Sequence, residues 1–455
     1  MKRREFLKAM GMGAAVLAMP GPLSAAGRFK RNPNFVIILA DDMGYGDSSV
    51  YDGWVKMPHL ERMAAEGLRF TDFHSSGAVC SPTRAGLMTG RYQQRAGIPG
   101  VINADPKLLV HYTGLQPTEV TFPKLLKRVG YTSGIFGKWH LGYLKKFNPL
   151  HHGFDRFRGY VSGNIDYISH YDRMGVHDWW EGLEHVREEG YSTHLITKHS
   201  VKFIEDNKHR PFCLYVAHEA VHAPNQAPDD PSQCGPRKGR TKGRTRSVKE
   251  TYQLMMKAMD DGIGEIMATV ERLGLAESTL VFFFSDNGGT GRGSNAPLRG
   301  GKGSVWEGGH RVPGIVRWPG KIKPARVSND LCISLDLMPT MLELAGVAVP
   351  EGYKLDGISL TAHLLESRSL GPRRLFWNGV AMRDGHWKLL TKERAFEGPG
   401  LFNLAEDIGE KNNLADRYPG RLKRMTAAIG AWKKDVASGA AIQRALQPGE
   451  QSVTL

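Results

Sequence analysis

After residue 26 the chain alternates short apolar runs with longer stretches of helical periodicity. That is the pattern of an α/β fold whose central, mostly parallel sheet is covered by helices. Four of the runs end alike. Residues 35–39 lead into Asp41 and Asp42, residues 134–136 into Lys138 and His140, residues 214–217 into His218 and His222, and residues 281–284 into Asp286 and Asn287. In open α/β sheets the crevice at the carboxyl ends of the strands is where ligands bind, so these distant groups are expected to converge.

From about residue 372 the elements shorten. Apolar segments at 375–377, 380–383, 387–390 and 401–404, followed by a helical pattern over 419–436, predict a small antiparallel sheet with one helix. Turn-rich stretches at 346–357 and 366–372 place the division near 365, giving a large domain over 27–365 and a small α+β domain over 366–455. No internal repeat interrupts this order.

Length and composition narrow the class. A chain of 455 residues, 41% hydrophobic and 24% charged, has enough core for two or three domains and excludes wholesale disorder, while 54 Gly and 25 Pro imply many tight loops. The formal net charge of +15 points to a polyanionic partner. Residues 1–26 explain part of it: Lys2, Arg3, Arg4 and Lys8 precede a weakly apolar run and a small-residue cleavage site at Ser24-Ala25-Ala26. Arg3-Arg4-Glu5-Phe6-Leu7-Lys8 resembles a bacterial twin-arginine signal, which implies the twin-arginine export machinery as a partner and a periplasmic or extracellular location. The run is shorter than the ~20 residues needed to span a bilayer, and no later segment spans, so stable membrane insertion is not expected. No helix-turn-helix or zinc-finger pattern appears, which removes nucleic acid from the partners. Of four cysteines, Cys213 and Cys332 lie in apolar runs and Cys234 in a polar loop, so no disulfide framework is expected. Residues 235–249 form a basic loop in which Arg237 and Lys238 begin a series of cations ending at Arg246.

The chemistry concentrates at residues 78–90, AVCSPTRAGLMTG. Ser81 suits a helix N-cap and Pro82 the first helical position, placing Cys80 where unpaired backbone N–H groups and the helix dipole favour an anion. Arg84 adds a fork of donors. Asp41, Asp42, Asp286 and Asn287 offer four oxygen-bearing side chains at two strand ends, suited to a hard cation or, read plainly, to two capped turns.

This stretch resembles the sulfatase family, whose C-x-P-x-R signature directs oxidation of the cysteine to formylglycine. The resemblance extends in order through Asp41-Asp42-Met43-Gly44-Tyr45-Gly46-Asp47, Gly137-Lys138-Trp139-His140-Leu141-Gly142, His222-Ala223-Pro224, Ser285-Asp286-Asn287-Gly288, and Leu298-Arg299-Gly300-Gly301-Lys302-Gly303 with Glu307-Gly308-Gly309. It implies an alkaline-phosphatase-like fold with a smaller C-terminal domain, and a formylglycine-generating maturation enzyme as a partner. It implies that residue 80, hydrated to a geminal diol, attacks sulfur to give a covalent sulfate ester, from which the second hydroxyl expels sulfate. It also implies a metal ion held by Asp41, Asp42, Asp286 and Asn287, for which these oxygen ligands favour one Ca²⁺ while leaving Mg²⁺ open. Arg84, Lys138 and Lys302 would neutralise sulfate, His140 would orient the diol or take its proton, and His222 would protonate the leaving oxygen. Ser162 and His218 are further candidates for substrate contact. Trp179 and Trp180 fit either sugar stacking or core packing, and Arg237 and Lys238 either contact with a sulfated polymer or a solvated loop. Gly293-Ser294-Asn295-Ala296-Pro297-Leu298 resembles the sulfatases that act on N-acetylgalactosamine 6-sulfate, which makes a sulfated carbohydrate the expected substrate. A small-aryl sulfatase, a phosphonate monoester hydrolase and, from another class, a non-catalytic polyanion-binding protein are the alternatives.

Overall fold

The computed structural model describes residues 32–236, 246–392 and 398–438. The export-signal reading of residues 1–26 and the positions Arg237 and Lys238 lie outside the described residues. In chain order the strands are β1 (Asn34–Ala40), β2 (Leu68–Phe70), β3 (Phe73–His74), β4 (Thr132–Lys138), β5 (Arg156–Tyr160), β6 (Trp180–Glu181), β7 (Glu184–His185), β8 (Phe212–Ala217), β9 (Thr279–Ser285), β10 (Gly314–Arg317), β11 (Arg326–Ser328) and β12 (Cys332–Ile333). They are followed by β13 (Arg374–Trp377), β14 (Ala381–Asp384), β15 (Trp387–Leu390) and β16 (Gly400–Asn403). The helices used below are α1 (Pro58–Ala65), α2 (Cys80–Thr89), α3 (Phe122–Lys127), α4 (Ser192–Asn207), α5 (Val248–Arg272), α6 (Glu307–His310), α7 (Leu337–Leu344), α8 (Thr361–Glu366) and α9 (Pro419–Ala437).

Ten strands form one mixed sheet in the order β11-β2-β10-β9-β1-β8-β4-β5-β6-β7. Its centre is β9, β1, β8 and β4, the four runs singled out in the sequence, paired in parallel. Both faces of these strands are buried, which is why they read as continuous apolar runs rather than alternating ones. Phe35, Ile37 and Leu39 face a cluster that includes residues of α2, α3 and α7. Val36, Ile38 and Ala40 face the residues of α1, α4 and α5. The result is a helix–sheet–helix sandwich. Because Leu39 pairs with Ala217 and Ala40 with Ser285, and Gly137 pairs with Ala217, the polar residues that follow leave the sheet at one level.

Helix α2 begins two residues earlier than the sequence suggests. Its N-cap is Val79, in extended conformation with no side-chain cap, and Cys80 lies in the first turn. Ser81 cannot cap it because its hydroxyl instead accepts from Ile102 N–H at 3.2 Å. At the other end Gly90, at φ 63°, returns its N–H to Gly86 and stops the helix.

Strands β13 to β16 form an antiparallel meander in sequence order. Met425, Ile429, Trp432 and Val436 recur along α9 at helical spacing and are its buried residues. Leu375, Trp377, Phe402 and Trp432 share a core cluster with Tyr92, Trp306 and Leu335, so the small sheet is packed onto the large part of the molecule. All four cysteines are free thiols. Among the described residues no helix is long and apolar enough to cross a membrane.

Candidate active site

The carboxyl ends of β1, β4 and β9 and the first turn of α2 meet at one point. Asp41 Oδ1 accepts from Cys80 Sγ at 3.4 Å, and Asp41 Oδ2 accepts from Lys138 Nζ at 2.5 Å. Lys302 Nζ donates to Asp42 Oδ1 at 2.6 Å and stands 3.3 Å from Cys80 Sγ. Arg84 reaches back along α2 and donates through Nε and Nη2 to Asp286 Oδ2, at 3.1 and 2.8 Å, and through Nη1 to the Lys138 carbonyl at 3.1 Å. Asn287 Nδ2 donates to Asp42 Oδ1 at 2.8 Å. His222 Nε2 lies 3.6 Å from Asp42 Oδ2. Cys80, Arg84, Lys138, Lys302, Asp41, Asp42, Asp286, Asn287 and His222 are thus brought together from segments up to 260 positions apart.

Burial sets the electrostatics. Arg84 and Lys138 are wholly buried, whereas the side chains of His222 and Lys302 keep 18% and 20% of their exposure and mark the open side. Burial pushes the Cys80 thiol up to about 12, helped by the Asp286 and Asp41 carboxylates. An unmodified thiol here stays protonated at neutral pH and is a weak nucleophile. Burial also works against an ionised Asp41, but Lys138, His222, Arg84 and Lys302 outweigh it and hold its carboxyl below the usual range. Asp286 is pushed up to about 6 by burial and by Asp41. Lys302 stays charged, because the carboxylates around it, Asp42 and Asp41 among them, override the effect of burial.

The donor set fits a hard cation. Asn287 Oδ1 is buried without a hydrogen-bond partner, beside three carboxylates. Asp41, Asp42, Cys80 and His222 also bring ligand atoms within 4.8 Å of one another. Asp42, at φ 64°, and His140, at φ 53°, both hold left-handed backbone conformations uncommon for side-chain-bearing residues, a form of strain that gathers at functional sites.

The remaining candidates divide. His140 Nε2 bonds the Ile102 carbonyl at 2.9 Å, and its Nδ1 is buried and unpartnered. Burial and then Lys138 depress its pKa far below the usual value, so the ring is neutral. A Cβ on Gly163 would lie 2.8 Å from this ring, so only glycine lets the loop after β5 cover it. Ser162 belongs to that loop, but its hydroxyl donates to the Asn164 carbonyl at 3.1 Å and its N–H to Asp178. His218 is not among the groups bonded within the cluster; both its ring nitrogens are buried and unpartnered, and burial pushes its pKa down to about 3.

Sugar stacking by the tryptophans is corrected. Trp179 is fully buried, with its ring stacked on His170 at 4.5 Å and its Nε1 bonded to Glu188. Trp180 packs on His185 at 3.7 Å and donates to Asp178. Arg246, the described end of the basic loop, is neutralised by Asp229 and, at 2.8 Å, by Asp230, so it is not a free cation.

Three contributors have no role assigned from the sequence alone. Tyr215 Oη, inside β8, accepts from Arg84 at 3.3 Å. Ile102 contributes only backbone. Asp47 accepts from Gly44 N–H, Trp54 Nε1, Ser294 N–H and Tyr252 Oη, tying the Asp42 loop to the loop before Lys302. Its place in a Gly-rich stretch beside Asp42 was the available clue.

A family profile described as Sulfatase matches residues 33–347, and a second, described as N-sulphoglucosamine sulphohydrolase, C-terminal, matches residues 301–426. The chain is similar to the N-acetylgalactosamine-6-sulfatase of Mus musculus, 33% identical over 93% of this chain and 90% of that one. It is similar to the protein of that name from Homo sapiens, 36% identical over 81% and 70%. Among solved structures it is similar to Ps i-CgsB in complex with k-i-k-neocarrahexaose, 27% identical with a TM-score of 0.80 over 93% of this chain and 96% of that one. The PsFucS1 sulfatase from Pseudoalteromonas sp. gives 26%, 0.76, 93% and 97%.

Proposed function

This chain belongs to the sulfatase family and is an enzyme that hydrolyses sulfate esters, and from that premise we propose that its substrates are sulfated carbohydrates and that the groups around Cys80 carry the reaction. The substrate class is supported by the carbohydrate named with Ps i-CgsB and by the sugar in the names of its mammalian relatives. The net charge of +15 favours an anionic polymer.

The observation that carries the site reading is the position of Cys80 Sγ between Asp41 Oδ1, at 3.4 Å, and Lys302 Nζ, at 3.3 Å. Asp41, Asp42, Asp286 and Asn287 would hold Ca²⁺, and residue 80, oxidised to formylglycine by a maturation enzyme, would present the attacking hydroxyl. Bound calcium supplies Lewis-acid polarisation of the sulfate oxygens. Lys302, on the open side, meets the sulfate, and Lys138 and Arg84 stabilise its growing negative charge from behind. Their burial leaves no competing water. His140, neutral and with Nδ1 free, accepts the proton when sulfate is expelled. His222 gives its proton to the leaving oxygen. Burial lowers its pKa although Asp42 and Asp41 oppose this, and an anionic ester bound beside it moves the ring towards the protonated form. The arginine pair and apolar run of residues 1–26 support export by the twin-arginine route to the periplasm or beyond.

The test is sulfate release from a panel of defined sulfated oligosaccharides, with para-nitrophenyl sulfate and a phosphonate monoester alongside. We expect sulfate from the oligosaccharides, loss of it in Cys80→Ala, and a residue-80 peptide without its thiol in active enzyme by mass spectrometry. Faster cleavage of the phosphonate ester would replace this reading with the phosphonate hydrolase one, and full turnover by enzyme bearing an unmodified thiol would reject the mechanism.

A further inference from the structure

The sequence motif that carries Lys302 ends in Glu307-Gly308-Gly309, and the reaction described above uses none of these three residues. Glu307 is fully buried, yet it is gripped from the C-terminal sheet. Arg383 Nη1, on β14, donates to Glu307 Oε2 at 2.7 Å, and Lys388 Nζ, on β15, donates to Glu307 Oε1 at 3.0 Å. Lys388 Nζ also lies 3.0 Å from Glu410 Oε1, and the other Glu410 oxygen accepts from Glu307 N–H at 2.8 Å. Short helix α6 is therefore held by side chain and backbone alike.

From α6 the contacts run directly to the reactive cluster. Gly309 O accepts from Gly288 N–H at 3.0 Å, next to Asn287. Gly308 N–H donates to Arg299 O at 2.8 Å and closes the loop that bears Lys302, while Gly303 N–H donates to Ala78 O at 2.8 Å, two positions before Cys80. A Cβ on Gly288 would lie 1.7 Å from Gly308 O, so the two segments touch without slack.

His74, Glu307 and His310 are close enough to hold a metal ion, but Arg383 and Lys388 already neutralise Glu307, and the imidazoles bond one another at 2.9 Å. The cluster is an ion-pair network. Such pairs add little stability over apolar residues of the same shape, since desolvation cancels most of the attraction; what they fix is direction.

We propose that Lys388 and Arg383 are positioning residues for sulfate-ester hydrolysis: by clamping Glu307 they set the loop that aims Lys302 Nζ at Asp42 and residue 80. The proposal rests on the part given above to Lys302.

The test is a double-mutant cycle on the full-length mature enzyme with para-nitrophenyl sulfate, following phenolate release and the melting midpoint. We expect Lys388→Met to lower kcat about tenfold or more with little change in KM, and Lys388→Arg to restore most of it. In a Lys302→Ala background, Lys388→Met should cost less than about twofold more, because the side chain it positions is gone. Should Lys388→Met fail to fold, the pair Lys388→Met/Glu410→Gln removes both charges while Arg383 still neutralises Glu307, and it should show the same loss. A folded Lys388→Met enzyme with wild-type kcat overturns the proposal, as does a tenfold loss that persists in Lys302→Ala. Wild-type turnover by Lys302→Ala alone instead rejects the role of Lys302, a failure distinct from that of the clamp.

Discussion

His222 and Lys302 are the groups of the reactive cluster that keep appreciable exposure, and the imidazole is the one able to deliver a proton to a departing alcohol. A sugar alkoxide needs that proton and a nitrophenolate does not, so His222→Ala should lower kcat/KM about a hundredfold on a sulfated sugar and much less on para-nitrophenyl sulfate. Equal losses on the two would remove His222 from the acid role. His152 offers a cleaner titration away from the chemistry. Both its ring nitrogens are buried beside Trp139, and burial, with Lys124, pushes its pKa from 6.5 down to about 3. The unfolded chain therefore binds a proton below pH 6.5 that the folded one refuses, so this residue costs nothing above that pH and destabilises increasingly below it. His152→Phe should gain about 1.4 kcal/mol relative to wild type on going from pH 7.5 to 5.5, measured as denaturant midpoints at both pH values. A constant difference would mean that the ring is protonated inside the fold. At this scale the sequence was legible in the strand ends, whose Asp41, Lys138 and Asp286 meet around Cys80 and Arg84. It was not legible for Trp179 and Trp180, because an indole pair reads alike whether its faces meet a sugar or His170 and His185.

Elements were legible in proportion to how completely they are buried. The four central strands appear in the sequence because both faces are apolar, and the C-terminal strands because turns punctuate them. Strands β2, β6, β7, β10 and β11 are two to four residues long and depend on partners distant in the chain, as in the pairing of β10 with β9 and β2. Helix α1 shows the same limit at its start. Its N-cap, Met57, has no capping side chain. The cap comes from across the molecule, where Asp260 on α5 accepts from His59 N–H at 3.0 Å and Leu60 N–H at 2.8 Å. No local sequence pattern reports a cap supplied from 200 residues away. Asp260→Ala should cost about 1–3 kcal/mol of stability by stranding two donors, that of Leu60 buried and that of His59 partly so, with kcat unchanged. A melting midpoint equal to wild type would show that water replaces the carboxylate.

At the scale of the whole molecule, the proposed calcium site joins the ends of β1 and β9, which Asp41, Asp42, Asp286 and Asn287 follow directly. An ion bound there stabilises the fold by mass action, about 2.7 kcal/mol when free calcium is a hundred times Kd. Removing it with a chelator should lower the melting midpoint and abolish turnover, and calcium should restore both. In Asn287→Ala the chelator should shift the midpoint much less. A midpoint insensitive to chelation would remove the metal from the fold.

The burial of α2 also sets an order of events. All ten of its residues are buried, and Cys80 keeps only 2% of its surface. An enzyme that oxidises Cys80 would have to reach its side chain, which the finished fold covers. On the formylglycine reading, oxidation therefore belongs to the interval between synthesis and folding, and a chain that folds first is closed to repair. A twin-arginine route, which moves folded cargo, would place that interval before export, so the location of the maturation enzyme, and not that of the substrate, would decide which compartment can make active protein.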